Sequence, residues 1–116
     1  MNFIFERVYN VYRGDDVKFN KFSPFYIKNT YGYWFTDNKQ AAYFYGQYVR
    51  NFKISLNNPL IITDEQFLQA YPKGPTYFAK LAFNKGHDGV IIKNIMDGDT
   101  ISTVYCVFNE KNIQFI

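Results

Sequence analysis

A chain of 116 residues is long enough to bury one hydrophobic core and too short to bury two, so we expect a single domain spanning 1–116. Hydrophobic residues make up 47% of the chain and charged residues 20%, a balance that excludes an intrinsically disordered protein. The net charge of +3 is spread without a dense basic block, which argues against nucleic acid as a partner.

The first residues and the apolar runs predict a soluble, cytoplasmic protein. No apolar run is long enough to span a membrane. Glu6 interrupts the start of the chain where a signal peptide would need an unbroken apolar stretch. Cys106, the single cysteine, cannot form an internal disulfide, and its apolar surroundings are typical of a buried thiol in a reducing compartment.

The residue types that usually carry metal or nucleophilic chemistry are scarce. His87 is the one histidine, and a single His with a single Cys cannot supply an ordinary zinc site, so no metal is expected. Its place between glycines favours a turn residue over a catalytic base. Cys106 lies in the middle of a predicted strand, which argues against a Cys–His nucleophile. Asp97 and Asp99 flank Gly98 as in a hairpin turn.

The first half of the chain reads as two strands followed by a helix. Residues 3–13 have the β-branched and aromatic composition of a strand, and 15–30 reads as a long loop of the kind that is often functional. The stretch 31–36, "YGYWFT", predicts a second strand. A helix over 38–49 is predicted to follow, with Asp37 as N-cap in a capping box with Gln40 and with Ala41, Phe44, Tyr45 and Tyr48 sharing one face.

The second half alternates between helices and strands, which makes α+β the expected fold class. Thr63 is a plausible cap for a short helix, and Pro75 and Gly86 bracket a longer one. The predicted elements are a strand over 52–56, helices over 64–71 and 75–85, and strands over 88–94, 101–109 and 112–116.

Seven aromatic residues in 31–46 pose the question of whether these rings form a core or the wall of a ligand pocket. Arg13 ends the first predicted strand beside Gly14, and Thr36 ends the second. If the two strands are neighbours, a guanidinium, a hydroxyl and a ring of Tyr43 or Tyr45 line one cleft. Such a cleft can hold a nucleotide, since the guanidinium binds phosphate, the hydroxyl binds ribose and the ring stacks.

Four blocks in order resemble the ADP-ribosyltransferase-like domains of phage and mobile-element polyvalent proteins. They cover most of the chain. The blocks are "VYRG", "GYWFTDNKQAAYFYG", "FKISLNNPLII", and "GHDGVIIKN" followed by "YCVFNEKNIQF".

This resemblance implies an ADP-ribosyltransferase-like split β-sandwich that holds NAD and cleaves its bond between nicotinamide and ribose. Arg13 would contact the NAD phosphates or ribose, and Gly14 would let nicotinamide approach the backbone. Thr36 would support the nicotinamide ribose, and Tyr43 or Tyr45 would stack on nicotinamide. The ring question then receives a divided answer: Phe35, Phe44 and Tyr48 belong to the core, and one or two tyrosines form the ligand wall.

The catalytic residues implied by the resemblance are Arg13, Glu110 and Asn112. Asn112 stands where active transferases often carry the Glu that stabilises an oxocarbenium-like ribose, and Glu110 lies two residues earlier. The implied function is mono-ADP-ribosylation of a macromolecule, most simply a host protein, in anti-CRISPR-like counter-defence or host takeover. The alternative is a catalytically degenerate module of the same fold that binds and inhibits a partner protein. A virion-associated protein whose rings are all core is a third possibility.

Overall fold

The computed structural model of the protein describes residues 7–18, 31–70, 72–97 and 99–116. In these ranges one mixed sheet of seven strands is accompanied by three α-helices and a short 3₁₀ helix. The strands are β1 Arg7–Asp15, β2 Tyr33–Thr36, β3 Tyr48–Leu56, β4 Leu60–Ile62, β5 Gly89–Asp97, β6 Thr100–Val107 and β7 Ile113–Phe115. The helices are α1 Lys39–Ala42, α2 Asp64–Gln69, α3 Gly74–Asn84 and the 3₁₀ helix Glu110–Asn112.

The strand order is β4-β5-β6-β2-β1-β3-β7, and the β4–β5 pair is parallel while every other pair is antiparallel. The predicted α+β class is therefore confirmed. The hairpin between β5 and β6 is confirmed as well, with Asp97 paired to Thr100. Gly98 itself lies outside the described residues.

The sheet curls so strongly that strands far apart in its order touch. β3 and β5 are separated by three strands, which would place them about 19 Å apart in a flat sheet. Yet the position that a Cβ on Gly89 of β5 would take lies 2.7 Å from Leu56 Cδ2 of β3. The rings of Tyr9 on β1 and Tyr105 on β6 are 5.0 Å apart. The concave face of the sheet thus closes on itself, since β5, β6 and β2 pack against β1, β3 and β7.

Aromatic side chains fill this concave interior, which we call the inner core. Phe52 is completely buried and packs edge-on against Phe35 and Phe115, at centroid distances of 5.3 and 5.0 Å. Aromatic pairs in this geometry contribute beyond the area they bury. The other buried members are Val11, Tyr33, Ile54, Leu56, Ile91, Tyr105 and Val107.

A second core lies on the convex face of β4, β5 and β6, beneath α2 and α3. Most of its buried side chains are aliphatic, including Val90 and Ile92 from β5 and Ala79 and Ala82 from α3. Both helix predictions hold. Thr63 and Gln66 form a capping box at the start of α2, and α3 is followed by a glycine with positive φ at position 86.

The predicted helix over 38–49 is wrong. Helix α1 ends at Ala42, and its N-cap is Asn38, whose side chain accepts from the N–H groups of Gln40 and Ala41, so the predicted Asp37–Gln40 capping box is wrong too. Asp37 instead accepts from the backbone N–H of Thr103, at 3.0 Å.

The segment after α1 becomes strand because β1 offers it a partner. Tyr48 to Asn51 pair with Tyr12 to Asp15, and this long-range pairing outweighs a weak helical preference. Strand β3 therefore begins four residues before the predicted 52–56, and the short strand β4 was not predicted. The predicted strand start at 3–6 and most of the predicted loop 15–30 lie outside the described residues, and Asp15 belongs to β1.

Candidate functional site

Arg13 lies near the end of β1 and is held by groups on two strands. Its Nε is 3.2 Å from both carboxylate oxygens of Asp15, and its Nη1 donates to the carbonyl oxygen of Trp34 on β2, also at 3.2 Å. The side chains of Arg13 and Asp15 are only 13% and 15% exposed. The guanidinium thus has a fixed orientation at the rim of the inner core.

Pairing with Arg13 does not offset the free-energy cost of burying the carboxylate of Asp15. Burial raises the pKa of its carboxyl above the ordinary value, although Arg13 lowers it through charge and hydrogen bonding. The ion-pair geometry alone would imply a lowered pKa. Desolvation is the largest cause of the raised pKa, because the carboxylate loses more on removal from water than Arg13 and Arg50 together restore.

Arg50, a second arginine that the sequence analysis did not single out, lies directly opposite Arg13 on β3. Its guanidinium carbon lies 4.8 Å from the ring centroid of Phe115 and 5.7 Å from that of Phe52, as in a cation–π contact. Two like charges opposite each other on neighbouring strands repel, and the carboxylate of Asp15, which interacts electrostatically with both arginines, moderates that repulsion. Arg50 was missed in the sequence analysis because the predicted strand began only at 52, and the register that places Arg50 opposite Arg13 is not visible in either strand alone.

Two of the predicted catalytic residues affect the hydroxyl of Tyr33. Burial raises the pKa of the Tyr33 hydroxyl, the charge of Glu110 raises it further, and the charge of Arg13 opposes the shift. Arg13 and Arg50 lie opposite each other near one end of the β1–β3 pair, which we call the arginine end.

Asn112, the third predicted catalytic residue, has a structural bond. Its Nδ2 donates to the carbonyl oxygen of Ser55, at 2.9 Å, and so ties the 3₁₀ helix to β3. Asn109 caps the same helix by accepting from the N–H of Lys111. Glu110 itself is exposed.

The predicted ribose contact, Thr36, lies away from Arg13. The strands β1 and β2 are neighbours as predicted, but Thr36 is paired with Tyr12, so its side chain shares the face of Tyr12 and lies opposite that of Arg13. Thr36 is buried, and its hydroxyl oxygen accepts from the N–H of Asn38. Its role toward ribose stays a prediction.

Gly14 allows a close approach, although in this structure the approaching group is protein. A Cβ at this position would overlap the carbonyl oxygen of Ala42 at the end of α1. Any side chain would therefore push α1 away from β1. The predicted approach of nicotinamide to Gly14 is not tested by this contact.

Tyr43, Phe44 and Tyr45 are exposed side by side in the turn after α1, and we call them the aromatic ridge. Their exposed fractions are 50%, 56% and 59%, so the prediction that Phe44 belongs to the core is wrong, whereas Phe35 is buried as predicted. Tyr43 and Phe44 line a surface pocket of about 460 Å³ together with Gln40, Asp99 and Thr100. Arg13 and Thr36 do not line this pocket. Tyr43, predicted to stack on nicotinamide, and Arg13, predicted to bind the phosphates, therefore do not share it.

Other polar groups are engaged in structure rather than chemistry. Asp88 accepts from the backbone N–H groups of Asn57 and Asn58, at 2.6 and 3.0 Å, and Nδ1 of His87 lies 3.0 Å from the carbonyl oxygen of Asn58. Cys106 is completely buried, and burial strongly raises the pKa of its thiol, which disfavours the nucleophilic thiolate. The described ranges contain no group of three acidic, histidine or cysteine side chains placed to hold a metal ion.

Among the helices of the described ranges, none combines the length and the apolar character needed to cross a membrane. Comparison with protein-family models and with curated proteins gives no match. A solved structure, the crystal structure of an anti-CRISPR protein, resembles this chain with a TM-score of 0.53 and 12% sequence identity. The match covers 94% of this chain and 96% of that chain, so it concerns the whole fold and not a shared fragment. The chain therefore shares its fold with an anti-CRISPR protein.

Proposed function

We propose that this chain is an anti-defence protein that inhibits a CRISPR–Cas system in the cytoplasm of a bacterial host. One observation carries the proposal, namely the likeness in fold to an anti-CRISPR protein over 94% of this chain and 96% of the other. A small single domain can act in this way without further parts, since an inhibitor needs one surface that matches its target.

Direct binding of a partner protein is the mode of action that the site supports best. Two of the side chains predicted to hold NAD are engaged within the protein: Arg13 binds Asp15 and Trp34, and the hydroxyl of Thr36 accepts from Asn38. Transfer would need a carboxylate beside the ribose, but the residue at that predicted position is Asn112, whose side chain is hydrogen-bonded to β3. In contrast, the aromatic ridge is exposed, and exposed aromatic side chains are typical of the anchors of protein interfaces.

ADP-ribosyl transfer from NAD is a second candidate, favoured by the arginine end. Arg13 and Glu110 both act on Tyr33, and Arg50 lies opposite Arg13. In this reaction the bond from ribose to nicotinamide breaks and an acceptor atom of the target takes the ribose. Glu110 would stabilise the positive ribose, and the arginines would bind the pyrophosphate. The ADP-ribosyltransferase-like relationship on which this candidate rests is an inference from the sequence blocks.

The proposed function is tested by co-expressing the chain with a panel of CRISPR–Cas systems and measuring plasmid interference. We expect interference by at least one system to be relieved. A panel covering the main system types in which none is relieved, with the chain expressed and folded, would contradict the proposal.

Binding and transfer are then separated with the purified effector of the inhibited system. A binder inhibits only near one copy per effector and without NAD, whereas an enzyme inhibits below that ratio, requires NAD and adds the mass of ADP-ribose to its target. Glu110→Gln abolishes inhibition by an enzyme and leaves inhibition by a ridge-anchored binder unchanged. Glu65→Gln, at an exposed position on α2, is the matched control for loss of one carboxylate.

A further inference from the structure

The pocket beside the aromatic ridge combines two exposed aromatic rings with, among its described lining residues, one charged side chain. Tyr43 and Phe44 line it from the turn after α1, and Asp99 and Thr100 line it from the tip of the β5–β6 hairpin. Of the described residues that line the pocket, Asp99 alone is charged. We infer that Tyr43, Phe44 and Asp99 form a receptor for an arginine side chain presented by a partner protein.

The backbone that carries these two rings is fixed before any partner arrives. The N–H groups of Tyr43 and Phe44 donate to the carbonyl oxygens of Gln40 and Ala41, at 3.2 and 3.1 Å. Ala41 is completely buried beneath them. This part of the backbone is therefore already ordered and has little conformational entropy left to lose on binding, which favours affinity.

The carboxylate that lines the pocket is oriented as well. The hydroxyl of Thr100 donates to Oδ1 of Asp99, at 2.9 Å, so the hydrogen bond restricts rotation of the carboxylate. A guanidinium can stack on an aromatic ring with its face while its edge donates two parallel hydrogen bonds to a carboxylate. The rings and the acidic residue that line this pocket match both properties.

Other occupants fit this chemistry less well. A phosphate or a nucleic-acid backbone would meet the negative charge of Asp99 with no cation among the lining residues described. An apolar side chain would cover Asp99 without pairing it, which costs free energy. A lysine would satisfy the charge but lacks the flat surface and the paired donors of arginine. The volume of about 460 Å³ admits one long side chain with part of the backbone that carries it.

The chemistry of the pocket is tested on the purified full chain with three probes, N-acetyl-arginine amide, N-acetyl-lysine amide and N-acetyl-citrulline amide. Citrulline keeps the shape of arginine and lacks its charge. We expect saturable NMR shifts of the Gln40, Tyr43, Asp99 and Thr100 amides with the arginine probe, and binding of the citrulline probe about tenfold weaker. Equal binding of arginine and citrulline, or no saturable shift, would overturn the inference.

Two variants make the titration specific. Asp99→Asn and Tyr43→Ala are both expected to weaken the arginine probe by about tenfold, while Glu65→Gln leaves its affinity unchanged. Unchanged backbone spectra away from the hairpin tip establish that each variant is folded. Full affinity in folded Asp99→Asn would contradict the inference.

The identity of the partner as a CRISPR–Cas component rests on the proposed function, whereas the chemistry of the pocket does not. In an interference assay that the wild-type chain relieves, Asp99→Asn should lose relief and Glu65→Gln should keep it. A wild-type chain inactive against the whole panel defeats the proposed function, and the titration still decides the pocket. An active wild-type chain with an equally active Asp99→Asn variant defeats the inference alone.

Discussion

The inner core and the aromatic ridge use the same residue types in opposite ways. In the inner core, Phe52 is fully buried and packs edge-on between two other rings. On the ridge, Phe44 is 56% exposed and lies in a turn. The difference shows that aromatic content by itself does not distinguish core from binding surface. The location of the residue in the fold does distinguish them. A side chain on the concave face of the curled sheet is buried, whereas a side chain in the turn after α1 stays exposed.

The contrast between the two regions is tested most directly by removing one ring from each and comparing the stability of the variants. Phe52→Ala should lower the free energy of unfolding by about 3–5 kcal/mol, since it deletes a buried ring and leaves a cavity. Phe44→Ala should change it by less than about 0.5 kcal/mol, since the ring is largely in water already. Chemical denaturation of both variants measures the two effects. A large loss for Phe44→Ala would mean that the ridge is part of the core after all.

The ionisation of a buried tyrosine gives a second test of the difference between the inner core and the aromatic ridge. Burial, with a further contribution from the charge of Asp37, raises the pKa of Tyr105 to about 12. The folded state therefore holds the proton more tightly than the unfolded chain, and this stability is fully present below the ordinary tyrosine pKa of about 10. It is lost as the pH rises from about 10 to about 12, with a total effect of about 3 kcal/mol.

The measurement is the free energy of unfolding across that pH range for the wild-type chain and for Tyr105→Phe, which cannot ionise there. The alkaline loss should be smaller in the variant. Ridge residue Tyr43 provides the matched control, because Tyr43→Phe at an exposed position should leave the alkaline loss as it is in the wild type. Identical pH profiles for wild type and Tyr105→Phe would count against the buried position of Tyr105.

The third prediction concerns the support of the ridge. Asn38 caps α1 by accepting from the N–H groups of Gln40 and Ala41, at 2.9 and 3.3 Å. Asn38→Ala should cost about 1 kcal/mol of stability. It should also raise hydrogen exchange at the ridge amides, whose carbonyl partners lie in the same turn. Lys39→Ala, at an exposed neighbouring position, is the control, and equal exchange in both variants would show that the cap does not stabilise the ridge.

Local patterns predicted the elements whose signals are local, and long-range pairing decided the others. Thr63 with Gln66 predicted the capping box of α2, and the β5–β6 hairpin followed from "MDGDT". The helix over 38–49 failed because nothing in that stretch reveals that β1 will pair with Tyr48 to Asn51. Phe44 was predicted to be buried on that helix, and because the helix ends at Ala42 its ring is exposed instead.

The roles predicted for the candidate site residues stay predictions, and the structure arranges some of these residues differently from the prediction. The charges of Arg13 and Glu110 both act on the pKa of Tyr33, the first lowering it and the second raising it. Thr36 lies on the other face of the sheet, because the register sets it opposite Tyr12. Register is a property of two strands, so the sequence of either strand alone cannot supply it.

The smallest expected effect on stability is at the arginine end, where it separates the two candidate functions. Since burial raises the pKa of Asp15 despite the nearby Arg13, the ionised carboxylate is held at a cost near neutral pH. Its contribution favours the folded state at low pH and is lost as the pH rises through the raised pKa. Asp15→Asn keeps the shape and removes the charge, so its stability at neutral pH should lie within about 0.5 kcal/mol of the wild type.

The same variant bears on whether Arg13 is available to NAD. Asp15 forms an ion pair with the guanidinium of Arg13, which the NAD pyrophosphate would have to bind. The negative charge of Asp15 would also repel the pyrophosphate. If NAD binds at the arginine end, Asp15→Asn should bind it more tightly and show a larger thermal shift with NAD than the wild type does. Arg13→Ala should remove that shift. If the arginine end is structural and the ridge binds the partner, neither variant responds to NAD, and both inhibit as well as the wild type does.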